Sequence, residues 1–241
     1  MINNLLIVIR TCGEKSLNFC INQCKLVTDD VHVVREEPFY KSVVKTFEIS
    51  SQSSKDFLLT LDADVRPYDG SIINSLNYAK DKNFFRITNK VDDKFIGTGI
   101  YCGNNLINNK YSSQFHKYIL SNKPSNPYKP ESSSFSSFCS KNGLSELLSN
   151  ITIGSHMEDQ YYHTIYNAIR NRIIKSSDTN KKKFLKESTK NVKKYPDDHE
   201  YQVALIAIRD GLKNKTYHSS KSDYIDISQI LSKLKIQEKI K

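Results

Sequence analysis

Two carboxylates one residue apart end a strongly apolar stretch, and these two side chains are well placed to do chemistry. Residues 57–61 are apolar apart from Thr60, and they run directly into Asp62 and Asp64. The run predicts a buried strand, and open α/β sheets bind ligands at the carboxyl ends of their strands. Residues i and i+2 of a strand point to one side, so the carboxylates should converge, and a divalent cation suits such a pair. The alternative is an Asp-rich turn after a strand.

Predicted strands and helices alternate before Asp62. Residues 5–10 and 31–34 predict strands, residues 14–26 predict a helix, and residues 43–49 predict either a helix or a further strand. This alternation favours parallel βα units rather than a β-sandwich.

The pattern changes after a predicted helix at residues 71–80. Short strand candidates at 84–88, 94–98 and 99–102 predict an antiparallel extension of the sheet. The Ser-rich and Pro-rich residues 121–137 predict a mobile surface loop.

The C-terminal part reads as mostly helical. A brief strand at 151–154 precedes a helix that reaches about residue 174, and Lys181 to Lys183 predict a basic linker. A helix follows at 198–212, and a last amphipathic helix carries apolar residues at helical spacing: Ile227, Ile230, Leu231 and Leu234. We therefore predict a catalytic domain over 1–175 and a basic helical extension over 176–241. The last helix either packs on the catalytic domain or docks on an anionic membrane.

Composition limits the class of protein. The chain has 241 residues, a net charge of +10 and a mean hydropathy of −0.55, without an apolar run long enough to span a membrane. Five cysteines without a Cys-x-x-Cys pair indicate neither a disulfide framework nor a zinc site, and no targeting segment is recognised, so a cytoplasmic setting is expected. The positive charge suits phosphorylated ligands, an anionic membrane surface or nucleic acid, but arginine is scarce and no ribonucleoprotein pattern is present, which argues against nucleic acid.

The segment from Leu61 to Asp64 resembles the Asp-x-Asp motif of GT-A fold glycosyltransferases, particularly the bacterial enzymes of lipopolysaccharide and capsule synthesis. The resemblance covers roughly residues 5–175. It implies a Rossmann-like, mostly parallel sheet flanked by helices, with Mn²⁺ or Mg²⁺ on Asp62 and Asp64. It further implies a nucleotide-sugar donor, which Asp62 also helps to bind, and a saccharide or lipid-linked acceptor in surface polysaccharide synthesis. Peripheral contact with the inner face of the membrane is compatible with this role.

A second resemblance lies in residues 154–162. Related transferases carry a late His that completes the metal shell, which here is His156, and a carboxylate near the following helix that faces the acceptor, here Glu158 or Asp159. We expect one of these carboxylates to be the catalytic base and favour Asp159, whose side chain is shorter. The alternatives are a His without a metal role and acidic residues that stabilise the helix N-terminus.

The turn after the first strand and the acidic pair after the second predict the nucleotide contacts. Arg10 and Thr11 begin the turn where the family binds base and ribose, and Glu36 or Glu37 matches the acidic position that meets the nucleoside. Solvated loop charges are the alternative for these residues.

Two functions from other classes compete with a transferase. A haloacid-dehalogenase-like phosphatase also uses an Asp-x-Asp motif at a strand end, but its motif lies on the first strand and has Thr or Val where this chain has Arg66. A non-catalytic basic binding protein would use the lysines without the carboxylates. An inactive transferase-like scaffold is equally compatible with the sequence.

Overall fold

The computed structural model describes residues 1–126, 129–158, 160–214 and 225–239. The strands are β1 (Leu5–Arg10), β2 (Val31–Val34), β3 (Phe57–Asp62), β4 (Val65–Pro67), β5 (Arg86–Asp93), β6 (Gly97–Asn108) and β7 (Glu146–His156). The helices are α1 (Leu17–Lys25), α2 (Phe39–Ser51), α3 (Ser71–Ala79), α4 (Ser112–Ser121), α5 (Pro130–Asn142), α6 (Tyr162–Lys175), α7 (Asp178–Lys194), α8 (His199–Lys213) and α9 (Ser228–Leu234). The predicted α/β class, a sheet flanked by helices, is confirmed.

Within the described residues the strands form a seven-stranded mixed sheet in the order β2-β1-β3-β6-β5-β7-β4. β1 pairs in parallel with β2 and β3, whereas β6 runs antiparallel to β3 and β4 runs antiparallel to β7. The parallel part is therefore the N-terminal βα region, and antiparallel pairing follows it, as the sequence predicts.

The chain divides into two compact units. One comprises residues 1–92 and 99–156, and the other comprises residues 93–98 and 157–241. The division into a catalytic domain over 1–175 and an extension over 176–241 stays a prediction.

The first unit buries both faces of β1, the strand that pairs in parallel on both sides. Leu5, Ile7 and Ile9 of β1 pack into a core with α1 and α3, while Leu6 and Val8 face the aromatic core built by α2, α4 and α5. This alternation follows from the two-residue period of a strand. Burying a Leu or Ile side chain contributes about 2 kcal/mol, so a strand buried at every position anchors the unit.

Three local predictions are wrong. Residues 121–137 are not one loop, because α5 begins at Pro130, and Phe135 and Phe138 supply an apolar face that the Ser-rich composition obscures. The predicted basic linker belongs to α7 instead, whose N-terminus is capped by the Ser177 hydroxyl. The strand candidate at 94–98 begins only at Gly97, because the Asp93 carboxylate accepts the backbone N–H groups of two of the intervening residues.

Ion pairs and caps organise the helices of the second unit. The Asp210 carboxylate of α8 accepts hydrogen bonds from Tyr166 (2.9 Å) and Arg170 (2.5 Å) of α6, which fixes the two helices against each other. The Glu238 carboxylate accepts the first backbone N–H groups of α6, from Tyr162 at 2.7 Å and His163 at 2.9 Å. These N–H groups have no partner inside the helix, so the C-terminal segment caps α6.

The last predicted helix is α9, and its apolar side is covered. Ile227 and Leu231 are buried, while Ile230 and Leu234 are half-buried. This burial favours the packing alternative for the segment over membrane docking. In the described part of the chain, none of the helices combines the length and the apolar character that crossing a bilayer requires.

Gly154 permits close pairing of β4 with β7. A Cβ atom at this position would lie 2.1 Å from the carbonyl oxygen of Arg66, a backbone atom that cannot move without separating the strands. We expect Gly154→Ala to reduce the free energy of unfolding by about 2–4 kcal/mol, as measured by urea denaturation. Leu148→Ala, which truncates an exposed side chain on the same strand, is the control and should cost much less. Equal effects would show that the close approach is not a constraint.

Candidate active site

The site begins with a charged pair between neighbouring strands. The parallel register of β1 and β3 places Arg10 beside Asp62. Asp62 Oδ1 accepts a hydrogen bond from Arg10 Nε at 3.0 Å and lies 2.8 Å from Arg10 Nη2 in the same ion pair. Both residues end their strands, so the pair lies at the carboxyl edge of the sheet.

Arg10 is buried and its guanidinium is fully engaged. Its Nη1 donates to Glu131 in the first turn of α5, and its Nη2 also donates to the Gly103 carbonyl at 2.9 Å. The Phe39 ring lies under the guanidinium, 4.9 Å from its centroid. Burial opposes the charge on Arg10, but the Asp62 and Glu131 carboxylates outweigh it and raise the pKa of the guanidinium. Arg10 therefore stays charged and positions Asp62.

Asp62 lies in a field that is still negative. The pKa of Asp62 is raised to about 7, mainly by burial and also by the charges of Asp64 and Glu131, although the charges of Arg10 and His156 act in the opposite direction. The one guanidinium does not neutralise the carboxylates around it, so the edge of the sheet favours an additional cation.

Gly103 makes room for the Asp62 side chain. The backbone of Gly103 has φ +58°, and a Cβ atom there would lie 2.2 Å from Asp62 Oδ2. Asp62 is thus held by Arg10 on one carboxylate oxygen and packs against the Gly103 backbone with the other.

Asp64 lies in a tight turn rather than on the strand. β3 ends at Asp62, and the turn is fixed because the Ala63 N–H donates to the Arg10 carbonyl at 2.9 Å and its own carbonyl accepts from Ser16 Oγ at 2.7 Å. The chain continues into β4, where the antiparallel register pairs Val65 with His156. This pairing brings His156 Nε2 to 3.2 Å from Asp64 Oδ2.

A further carboxylate, Glu14, closes the turn after β1. Its oxygens accept hydrogen bonds from the Thr11 hydroxyl at 2.5 Å and from the Cys12 N–H at 2.8 Å. Burial raises the pKa of Glu14, and the charge of Asp64 adds to this effect. The Glu14 and Asp64 carboxylates therefore act on each other through their charges.

These groups surround a cavity of about 160 Å³. Its lining consists of Arg10, Thr11, Cys12, Glu14, Glu36, Phe39, Ser42, Asp62 and Asp64. Ser42 is buried, and within the described residues its hydroxyl has no hydrogen-bond partner. A ligand in the cavity could supply that partner.

The Asp64 and His156 side chains fit two neighbouring ligands of a divalent ion. Bonds of about 2.1 Å at right angles separate such ligand atoms by about 3.0 Å, close to the 3.2 Å found here. The third predicted ligand, Asp62, has one oxygen bound by Arg10. Among the described residues, no group of three or more His, Cys, Asp or Glu side chains is arranged to hold a metal.

The structure places the predicted site residues in different surroundings. Five of them line the cavity: Arg10, Thr11, Glu36, Asp62 and Asp64. Glu37 lies exposed on the segment after β2, and Glu158 lies half-buried in the turn after β7. Asp159 lies outside the described residues.

Sequence reasoning missed the residues that support the site. Glu131 follows Pro130, and a proline followed by an acidic residue is a typical helix start, so the signal was present. Gly103 and Ser42 gave no comparable signal, because their roles depend on side chains that approach from other strands and helices.

Comparisons with known proteins give structural neighbours only. No protein-family model matches this chain, and no curated protein matches it. Solved structures similar to it include a glycosyltransferase involved in the glycosylation of the major capsid of PBCV-1, with 11% identity, a TM-score of 0.47, and coverage of 64% of this chain and 93% of that one. A mannosyltransferase from Pyrobaculum calidifontis in complex with GDP-Man and Mn²⁺ has 8% identity and a TM-score of 0.45, and the match covers 96% of this chain and 79% of that one.

A third neighbour is the 4-diphosphocytidyl-2C-methyl-D-erythritol synthase from Anaerococcus prevotii. It has 11% identity and a TM-score of 0.45, and the match covers 61% of this chain and 88% of that one. The TM-scores of these three neighbours lie below 0.5. Arguments about activity therefore rest on the site itself.

Gly103 and Gly143 form a matched pair for testing the support of Asp62. Both have positive φ, +58° and +62°, but only at Gly103 would a Cβ atom meet the Asp62 carboxylate. We expect Gly143→Ala to cost about 1 kcal/mol of unfolding free energy from backbone strain alone. Gly103→Ala should cost more and should also weaken stabilisation by Mn²⁺, measured by thermal unfolding with and without the ion. Identical behaviour of the two variants would contradict the packing described for Asp62.

Proposed function

We propose that this protein is a metal-assisted glycosyltransferase that binds a nucleotide-sugar in the cavity at the carboxyl edge of β1 and β3. The observation that supports this proposal is the lining of one cavity by the turn after β1, by Glu36 after β2, and by Asp62 and Asp64 after β3. A nucleoside diphosphate offers a polar base, ribose hydroxyls and a charged diphosphate. The cavity is lined by the hydroxyl-bearing Thr11 and Ser42 and by four carboxylates, those of Glu14, Glu36, Asp62 and Asp64.

The divalent ion of the proposal is Mn²⁺ or Mg²⁺. Asp64 and His156 would hold it, and the Asp62 carboxylate, bound by Arg10 on one oxygen and packed against Gly103 on the other, would add negative charge beside it. Such an ion neutralises the charge that a diphosphate leaving group gains as the sugar-phosphate bond breaks. Burial raises the pKa values of Asp62 and Glu14, and the charge of Asp64 raises both further, so a cation at this edge would offset that lesser, repulsive part. The distance of 3.2 Å between His156 Nε2 and Asp64 Oδ2 supports the assignment of these two residues as ligands of the ion.

In this proposal Arg10 does not contact the nucleotide phosphates. Its donors are taken by Asp62, Glu131 and the Gly103 carbonyl, and its side chain is almost fully buried. We therefore assign Arg10 as a positioning residue in this proposal, although it also lines the cavity, and its predicted contact with the base or ribose stays a prediction. Thr11 and Glu36 keep their assignment as nucleotide contacts because both line the cavity.

The acceptor is a saccharide or a lipid-linked saccharide of surface polysaccharide synthesis, and peripheral contact with an anionic membrane belongs to the same proposal. The catalytic base is assigned to Glu158 or Asp159. A base takes the acceptor proton from the side opposite the leaving group, and these two residues precede the first residue of α6 in the chain.

The phosphatase alternative requires Asp62 to be a free nucleophile. One oxygen of this carboxylate is bound by Arg10, and the other is packed against Gly103. Asp62 also ends the third strand in chain order rather than the first. These observations favour a carboxylate that is held in place by its neighbours over a carboxylate that attacks a phosphate as a nucleophile.

Nucleotide binding is tested by thermal unfolding with UDP, GDP, CDP and CMP, each with and without Mn²⁺. A ligand at 100 times its dissociation constant stabilises the folded state by about 2.7 kcal/mol, so we expect one nucleotide to raise Tm by several degrees only when Mn²⁺ is present. Asp64→Asn should abolish the Mn²⁺-dependent part, and the control Asp29→Asn, at an exposed aspartate, should retain it. Absence of any nucleotide response in the wild type would refute the proposal.

The base assignment is tested by turnover. We expect Asp159→Asn or Glu158→Gln to lower kcat by about 10² or more while leaving the Mn²⁺-dependent nucleotide shift unchanged, because a general base acts only in the chemical step. Donor consumption in the presence of acceptor is the measurement. Asp178→Asn, at an exposed carboxylate of α7, is the control. Near-normal turnover in both Asp159→Asn and Glu158→Gln would contradict the assignment of the base.

A further inference from the structure

The helix α7 carries an uninterrupted lysine face. Its exposed lysines are Lys182, Lys183, Lys186, Lys190, Lys193 and Lys194. At 100° per residue these six positions fall within an arc of about 120°, and at 1.5 Å per residue they extend over about 18 Å. We call this the α7 lysine face.

No acidic residue interrupts the α7 lysine face. Glu187 projects just beyond one edge of the arc and Asp178 beyond the other, where it pairs with Lys181 at 3.1 Å. Among the described residues, no carboxylate forms an ion pair with any of the six lysines. Six like charges that share one side of a helix repel one another, and an anionic partner would relieve that repulsion.

The opposite side of α7 is already occupied. Ser188 is buried, and Phe184, Leu185 and Val192 are half-buried on the side where α7 packs against α8. No apolar side chain of α7 remains on the lysine face to insert into a partner. Any contact through this face is therefore electrostatic and lies on the surface of the partner.

We propose that the α7 lysine face docks the protein on a membrane that contains anionic phospholipids. A row of lysines matches a flat layer of mobile phosphate headgroups, because each ammonium acts as a point charge without a required orientation. The six positions carry no arginine and no aromatic side chain, which are the residues that read grooves or stack on bases in nucleic acids. The neighbouring Tyr195 ring is already in contact with Lys194 and Tyr201. Charge and composition thus favour lipid headgroups over nucleic acid as the occupant.

This inference rests on the proposed function and names the surface through which the protein would contact the membrane. It differs from the sequence-based alternative in which the last helix docks. Lysines near an anionic surface contribute additively and over short distances, so binding should depend on their clustering and on ionic strength. Membrane binding through the α7 lysine face requires neither nucleotide nor metal. Its failure is therefore distinguishable from failure of the cavity assignment.

The experiment is co-sedimentation of the full chain with vesicles of phosphatidylcholine alone or mixed with phosphatidylglycerol, without nucleotide. We expect binding only to the mixed vesicles, with a strong decrease as salt is raised. The triple variant K182E/K186E/K190E should lower the partition coefficient by about tenfold or more. The control K80E/K110E/K117E makes the same change in net charge at exposed lysines of the other unit, and it should lower binding much less.

Each other outcome overturns the proposal. Equal loss in both triple variants would mean that net charge alone drives binding. Failure of the wild type to bind the mixed vesicles, or tight binding to duplex or single-stranded DNA in their place, would assign the face to another role. Thermal unfolding of both variants, together with the uncharged variant K182Q/K186Q/K190Q, separates loss of docking from loss of folding.

Discussion

The ion pair between Arg10 and Asp62 is the interaction on which the proposed site depends. A buried guanidinium is tolerated only with compensating charge, and Asp62, Glu131 and the Gly103 carbonyl provide it from β3, α5 and β6. Removing one partner of such a pair typically costs about 3–5 kcal/mol, because the other charge remains buried. One side chain therefore holds together three segments that are far apart in sequence, and it fixes the carboxylate at the edge of the sheet.

The second half of the site depends on strand pairing rather than on charge. Asp64 and His156 meet because β4 and β7 are paired in antiparallel register, and Gly154 allows those strands to approach. A turn separates Asp62 from Asp64, so each carboxylate has its own support. The site thus combines a carboxylate held in place by Arg10 with a second acidic residue beside His156, and the pKa values of Asp62 and Glu14, raised mainly by burial and also by neighbouring carboxylates, favour a cation between them.

The second compact unit follows a different principle. Its segments are held by acids with cationic partners: the buried Glu200 accepts from Lys94 and Lys239, and the half-buried Asp210 binds the buried Arg170. These cations are paired and at least partly buried, whereas the lysines on the outer side of α7 keep their charge exposed. The net charge of +10 is therefore concentrated in part on one helix face rather than spread evenly.

The sequence by itself determined the α/β class, the strand that delivers Asp62, and the residues of the turns after β1 and β2 that line the cavity. Those features are local, because apolar runs, two-residue alternation and strand ends depend on residues that are neighbours in the sequence. The predictions were wrong where a biased composition obscured the helical spacing of the apolar residues. The Ser-rich α5 was predicted to lie in a loop, and the Lys-rich start of α7 was predicted to be a linker. Only the tertiary structure decided that Arg10 supports Asp62, that Glu131 and Gly103 complete this support, and that His156 reaches Asp64. These roles arise from residues separated by 52 to 121 positions, and neither spacing nor composition encodes such distances.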